Sequence, residues 1–159
     1  MNVRSRLVDL LSHQKYDQAL DFLSRTESER DLTTAELVAK GRCLQLASDL
    51  AGGSLADARD AFLKALEVDP EYVPALIELA FFYYAVEDDA EKALPLFDRA
   101  IEISRAQMTD AVVGKSDCLE ELQSKAVAAA FVRDLVHQPL LVEKLAEAKK
   151  AWLKRATGG

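Results

Sequence analysis

The chain has little of what catalytic, secreted or metal-binding proteins rely on. Two cysteines in 159 residues, Cys43 and Cys118, supply neither a secreted disulfide framework nor a four-thiolate zinc site. The two histidines, His13 and His137, fall in segments that read as turns toward opposite ends of the chain. There is no H-x₃-H, H-E-x-x-H or C-x-x-C pair, so a metal has no ligand set and none is expected. Neither G-x-x-x-x-G-K-[ST] nor G-x-G-x-x-G occurs, which removes the common phosphate cradles and any cofactor they would hold. Six glycines and four prolines are too little turn material for an all-β fold. No apolar run approaches the ~20 residues that cross a bilayer, and Asp9 interrupts the first apolar stretch before it reaches signal-peptide length. A cytoplasmic protein that is not an enzyme is the expectation, with both thiols on apolar helix faces and buried.

What is present is helical material and acid. Half the residues are hydrophobic and 30% are charged, an ordinary globular balance. Twenty basic residues against twenty-seven acidic ones give a net charge of −7, which disfavours a nucleic-acid binder. The charge is uneven. Residues 1–132 sum to −10 and residues 133–159 to +3. Between Lys64 and Lys92 there is no basic residue, while Glu67, Asp69, Glu71, Glu78, Glu87, Asp88, Asp89 and Glu91 fall there. Such a run either solvates helix ends and turns or steers a basic partner.

Self-comparison organises the chain. ADARDAFLKALEVDP at 56–70 realigns on AEKALPLFDRAIEIS at 90–104, so Ala58, Phe62 and Ala65 match Ala93, Phe97 and Ala100 at 35 residues. A fainter copy, YDQALDFLSRT, puts Tyr16, Ala19 and Leu23 in the corresponding places. The spacing A-x-x-x-F-x-x-A is one helical stripe, with alanines for close approach and phenylalanine to fill the gap. An amphipathic helix precedes each copy, through Val3, Leu7, Leu10 and Leu11, then Leu37, Gly41 and Leu44, then Leu76, Leu79, Ala80 and Tyr83. Breaks are expected at His13–Lys15, Ala51–Ser54 and Glu87–Asp89. Gly52-Gly53 would supply a left-handed helix ending, Ser54 a cap and Pro70 a stop. Pro95 is tolerable only near the first turn of its helix.

These residues resemble the tetratricopeptide-repeat family, whose motif is W-x₂-L-G-x₂-Y…A-x₃-F…P over about 34 residues. Residues 73–105 match best, residues 34–70 match with a longer inter-helix turn, and residues 1–31 form a degenerate copy. No copy carries the Trp of the motif. The resemblance implies an all-α solenoid of about three helix–turn–helix repeats over residues 1–106, followed by C-terminal capping helices over 107–159. It also implies that a partner segment lies on the concave face lined by the first helix of each repeat. On this chain that face comprises Arg4 and Val8, then Val38, Arg42 and Gln45, then Ile77, Phe81 and Tyr84. Family members that clamp acidic chaperone tails use several Lys, Arg and Asn residues there; Pro74, Ile77, Glu78 and Phe81 stand in their place. A basic or apolar partner segment is therefore expected.

In the C-terminal third, Thr109 and Asp110 are expected to cap a helix running to about Val136. Its apolar side would hold Val112, Cys118, Leu119, Leu122, Ala126, Ala129 and Val132. Pro139 would open a last helix carrying Leu140, Leu141, Leu145, Ala148, Trp152 and Leu153, with Lys149, Lys150, Lys154 and Arg155 at its end. The functional expectation is a protein-binding adaptor. Its specialised forms are an immunity protein that neutralises a basic toxin and a chaperone that holds an apolar segment of a secreted protein. The rival is a structural piece whose groove is filled by its own C-terminal helices or by a second copy in a homodimer.

Overall fold

The computed structural model describes residues 3–47 and 53–136. Helices account for all the regular structure in them: α1 (Val3–Ser12), α2 (Tyr16–Glu29), α3 (Thr34–Leu46), α4 (Leu55–Val68), α5 (Val73–Ala85), α6 (Ala90–Leu122) and α7 (Lys125–Val136). The protein is all-α. α1 packs on α2, α2 on α3, α3 on α4 and α4 on α5, and α3 also touches α5.

Helix starts follow local chemistry. Ser54 Oγ accepts from the Asp57 N–H at 3.2 Å, and the Asp57 carboxylate accepts from the Ser54 N–H at 2.8 Å, so α4 opens with a reciprocal capping box. Thr33 and Glu36 repeat that device at α3. Asp89 caps α6 by accepting from the Lys92 N–H at 2.9 Å. The left-handed residues of the turns are Gln14 (φ 56°) and Asp88 (φ 53°), within the expected breaks. Aspartate adopts this conformation at lower cost than most side chains. Gly52 lies outside the described residues. Gly53 accommodates a neighbour, since a methyl group there would run into Leu44 Cδ2. Pro95 is the sixth residue of α6, and the helix continues through it.

The repeated stripe faces the core. Ala58, Phe62 and Ala65 are fully buried, Ala93 and Ala100 nearly so, and Phe97 is half-buried. In α2 the residues of the stripe that are buried are Ala19, Leu23 and Thr26, beside the buried Leu20, with Tyr16 half-buried one turn earlier. The Thr26 hydroxyl is satisfied by Phe22 O at 2.9 Å. The expected assignment of Tyr16, Ala19 and Leu23 is thus one turn early; Thr26 takes the last small-residue place. Gly41 explains how α3 and α4 come so close. A Cβ at Gly41 would lie within 2.8 Å of three atoms of the Phe62 ring.

Thr26 and Glu36 are the two buried polar residues among those described, and Glu36 is the one that carries a charge. Arg30 grips it with two bonds of 2.7 and 2.9 Å, and Thr33 adds a backbone and a hydroxyl donor. These donors, Arg30 first, hold its carboxyl at about 2, against an ordinary value of 4.5. A lowered folded-state value means the stabilisation is complete above about pH 4.5 and fades as pH falls toward 2. Glu36→Gln should therefore lower stability at neutral pH by about 1–3 kcal/mol and flatten the acid limb. Denaturant unfolding of both proteins across that pH range checks it. Equal slopes would leave the grip on Glu36 without energetic weight.

The chain divides at Arg105–Ala106 into two compact units. All the core described above belongs to the first. The helix expected to begin at Thr109–Asp110 does not begin there: both residues lie inside α6, and the break falls at Gln123–Ser124. Nothing between Ser104 and Asp110 forces the backbone out of helical geometry, and a capping side chain acts only where the backbone has already left it. In the second unit, Ala128 is buried, Val112, Leu119 and Phe131 are half-buried, and the Lys115 ammonium lies 4.2 Å from the Phe131 ring centre. Cys118, Leu122, Ala126, Ala129 and Val132 are exposed, so most of the expected apolar side is not core. The expected last helix and its Trp152 lie outside the described residues.

Candidate interaction surface

Ile77, Phe81 and Tyr84 sit at i, i+4 and i+7 of α5, on the side opposite its buried Ala75, Leu79 and Phe82. They are 36%, 54% and 52% exposed. The aromatic run Phe81–Tyr84 therefore splits as helical geometry requires. Phe82 goes into the core, Tyr83 is half-buried beneath the Lys92 ammonium, and Phe81 and Tyr84 face out.

The neighbouring helix completes the surface. Phe81 meets Phe97 edge-on, with centroids 5.0 Å apart, Tyr83 lies under Lys92, and Leu76 packs with Ala100 and Ile103. Numbers rise along α5 as they fall along α6, so the two run antiparallel. That register sets Ile101 at the level of Ile77 and Leu94 at the level of Tyr84. Leu94 and Ile101 are 62% and 56% exposed. The result is three apolar layers over about 10 Å of helix. Sequence reasoning missed Leu94 and Ile101; their i, i+7 spacing on the flank of the A-x-x-x-F-x-x-A stripe was the available signal.

Of the other residues expected on this face, Arg42 is exposed and its guanidinium lies 3.5 Å from Glu78, tying α3 to α5. Gln45, one turn further along α3, is half-buried. Val38 is buried with Leu37 and Ala39 and has no surface to present, so it leaves the set. Arg4 and Val8 are exposed on α1. The structure thus brings Arg42, Ile77, Phe81 and Tyr84 together on α3 and α5, and adds Leu94, Phe97 and Ile101.

The rim is acidic. Residues 71–105 carry eight acids against three bases. Lys92 pairs with Glu87 and Asp89, and Arg99 with Glu71 and Glu102. Asp88, Glu91 and Asp98 are exposed, with no cation against them among the described residues. Asp98 stands at i+4 from Leu94 and i−3 from Ile101, so it borders the apolar layers directly.

A cleft of about 390 Å³ lies between α2, α3 and α4, lined among others by Glu27, Lys40 and Lys64. Both lysines are turned onto Glu27, at 2.5 and 3.5 Å, and hold its carboxyl below the usual range. Their charge is thereby answered within the fold. Among the described residues, no three His, Cys, Asp or Glu side chains are grouped so as to hold a metal ion. No helix among them is long and apolar enough to cross a membrane.

The thiols separate. Cys43 is fully buried, and burial pushes it up to about 11. Cys118 is exposed, contrary to the expectation of two buried thiols, because it lies on the open side of α6. A disulfide-exchange reagent near pH 8 should react with one thiol in the native protein and with the second only on unfolding. Rapid modification of two thiols would contradict the burial of Cys43.

Comparison of the chain with protein-family models, with curated proteins and with solved structures finds no match in any of the three.

Proposed function

We propose that this chain is a non-catalytic, cytoplasmic interaction module of tetratricopeptide-repeat type, holding a segment of another protein on the first-helix face of its third repeat. The observation that supports this most is the exposed line Ile77, Phe81 and Tyr84, backed by Leu94, Phe97 and Ile101 on the adjacent helix. Exposed aromatics grouped beside aliphatic residues are a common basis for interface hot spots. A contiguous apolar patch on a protein surface is otherwise an aggregation liability. The acidic rim favours a basic client, as in an immunity protein facing a basic toxin or a chaperone facing a secreted segment.

The test is co-purification at low salt from the cells that make the protein. Wild type and the Phe81→Ala/Tyr84→Ala variant are compared. A stoichiometric basic partner retained by the wild type, lost by the variant and released as salt rises is the expected result. A chain that elutes alone from both, or only with copies of itself, would overturn the reading.

A further inference from the structure

Resting on that reading, we infer that the occupant of the α5–α6 surface is a basic amphipathic α-helix. Polar satisfaction selects a helix. Across its three layers the strip presents Ile77, Phe81, Tyr84, Leu94, Phe97 and Ile101, whose one polar side-chain group is the Tyr84 hydroxyl. An extended segment laid there would bury backbone N–H and C=O groups with almost nothing to bond them. A helix satisfies its own backbone and arrives with only side chains to place. Layers repeating over seven residues on both α5 and α6 also match the i, i+3/i+4, i+7 anchors of an incoming helix.

Charge decides the rest. Asp98 lies between Leu94 and Ile101 on the outer flank of α6, with Glu91 one turn before Leu94 and Asp88 just beyond the end of α5. All three are exposed, with no cation against them among the described residues. A helix with lysines or arginines beside its apolar stripe answers these carboxylates. A second copy of this chain would bring its own Glu91 and Asp98 to the same interface and meet repulsion.

The full chain is titrated against three labelled peptides of about 18 residues, some five helical turns. One has leucines at i, i+3 and i+7 flanked by lysines. The second has glutamates for the lysines, and the third is the lysine peptide with a central proline. The lysine peptide should bind, weakening about tenfold as ionic strength rises from about 0.05 to about 0.5 M. The other two should bind at least about tenfold more weakly. Phe81→Ala/Tyr84→Ala should weaken binding about 30-fold or more, with the thermal melt lowered by only a few degrees. Asp98→Lys should weaken the lysine peptide and strengthen the glutamate one.

Equal binding of the proline peptide overturns the helix, and equal binding of the glutamate peptide overturns the charge. In both cases, dependence on Phe81 leaves the interaction-module reading standing. No binding by any peptide from a monomeric chain overturns the inference alone. Self-association that vanishes in Phe81→Ala/Tyr84→Ala overturns the inference and the reading together.

Discussion

Phe62→Ala lowers the unfolding free energy by about 3–5 kcal/mol, the range for truncating a large buried aromatic. Phe62 is fully buried at the contact of α3 and α4, with Ala58 and Ala65 on either side of it along the same helix face. No other described fully buried side chain is as large, so its loss leaves the largest hole. Gly41→Ala is destabilising too, by about 1–3 kcal/mol, because its new methyl must push back the Phe62 ring. Helix propensity alone predicts the opposite, a gain of about 1 kcal/mol. The two substitutions should therefore couple. In a Phe62→Ala background the ring is gone, and Gly41→Ala should become neutral or stabilising. Denaturant midpoints of the four proteins measure this cycle. If Gly41→Ala destabilises equally in both backgrounds, the close approach of α3 to α4 is not what the glycine serves.

The second large effect is on binding. Phe81→Ala with Tyr84→Ala should weaken the partner complex by about 2–4 kcal/mol, some 30- to 1,000-fold. Stability should fall by only about 1 kcal/mol, chiefly from the edge contact of Phe81 with Phe97. The structural rival, with this groove filled from within the assembly, expects the reverse: several kcal/mol of stability lost and no affinity to lose. A thermal melt beside a binding isotherm separates the two. A large fall in melting temperature together with unchanged partner binding would reject the surface as a docking site.

The acid-dependent weight expected of Glu36 and the split reactivity expected of the two thiols come from the same helical frame. Both are consequences of which helix side faces inward. The sequence carried that information for α1, α4 and α5, and only in part for α2 and α3, where Thr26 and Val38 turn inward against expectation. For α6 and α7 the difficulty was the boundary, because no glycine or proline marks an end between Ser104 and Asp110. A long helix was consequently read as two, and Cys118 was placed inside.

By itself, the sequence determined the all-α class, the breaks at His13–Lys15 and Glu87–Asp89, and the inward stripe Ala58, Phe62, Ala65. These depend on local periodicity and on backbone rules that act within a few residues. Only the tertiary structure decided the rest. Burial of Val38, the placing of Thr26 as the small residue of α2, the seat of Phe62 against Gly41, and the alignment of Leu94 and Ile101 with Ile77 and Tyr84 all depend on neighbours from another helix. A one-dimensional period says which side of a helix is apolar. It does not say how much of that side the next helix covers, and the uncovered remainder is where this protein has a surface to use.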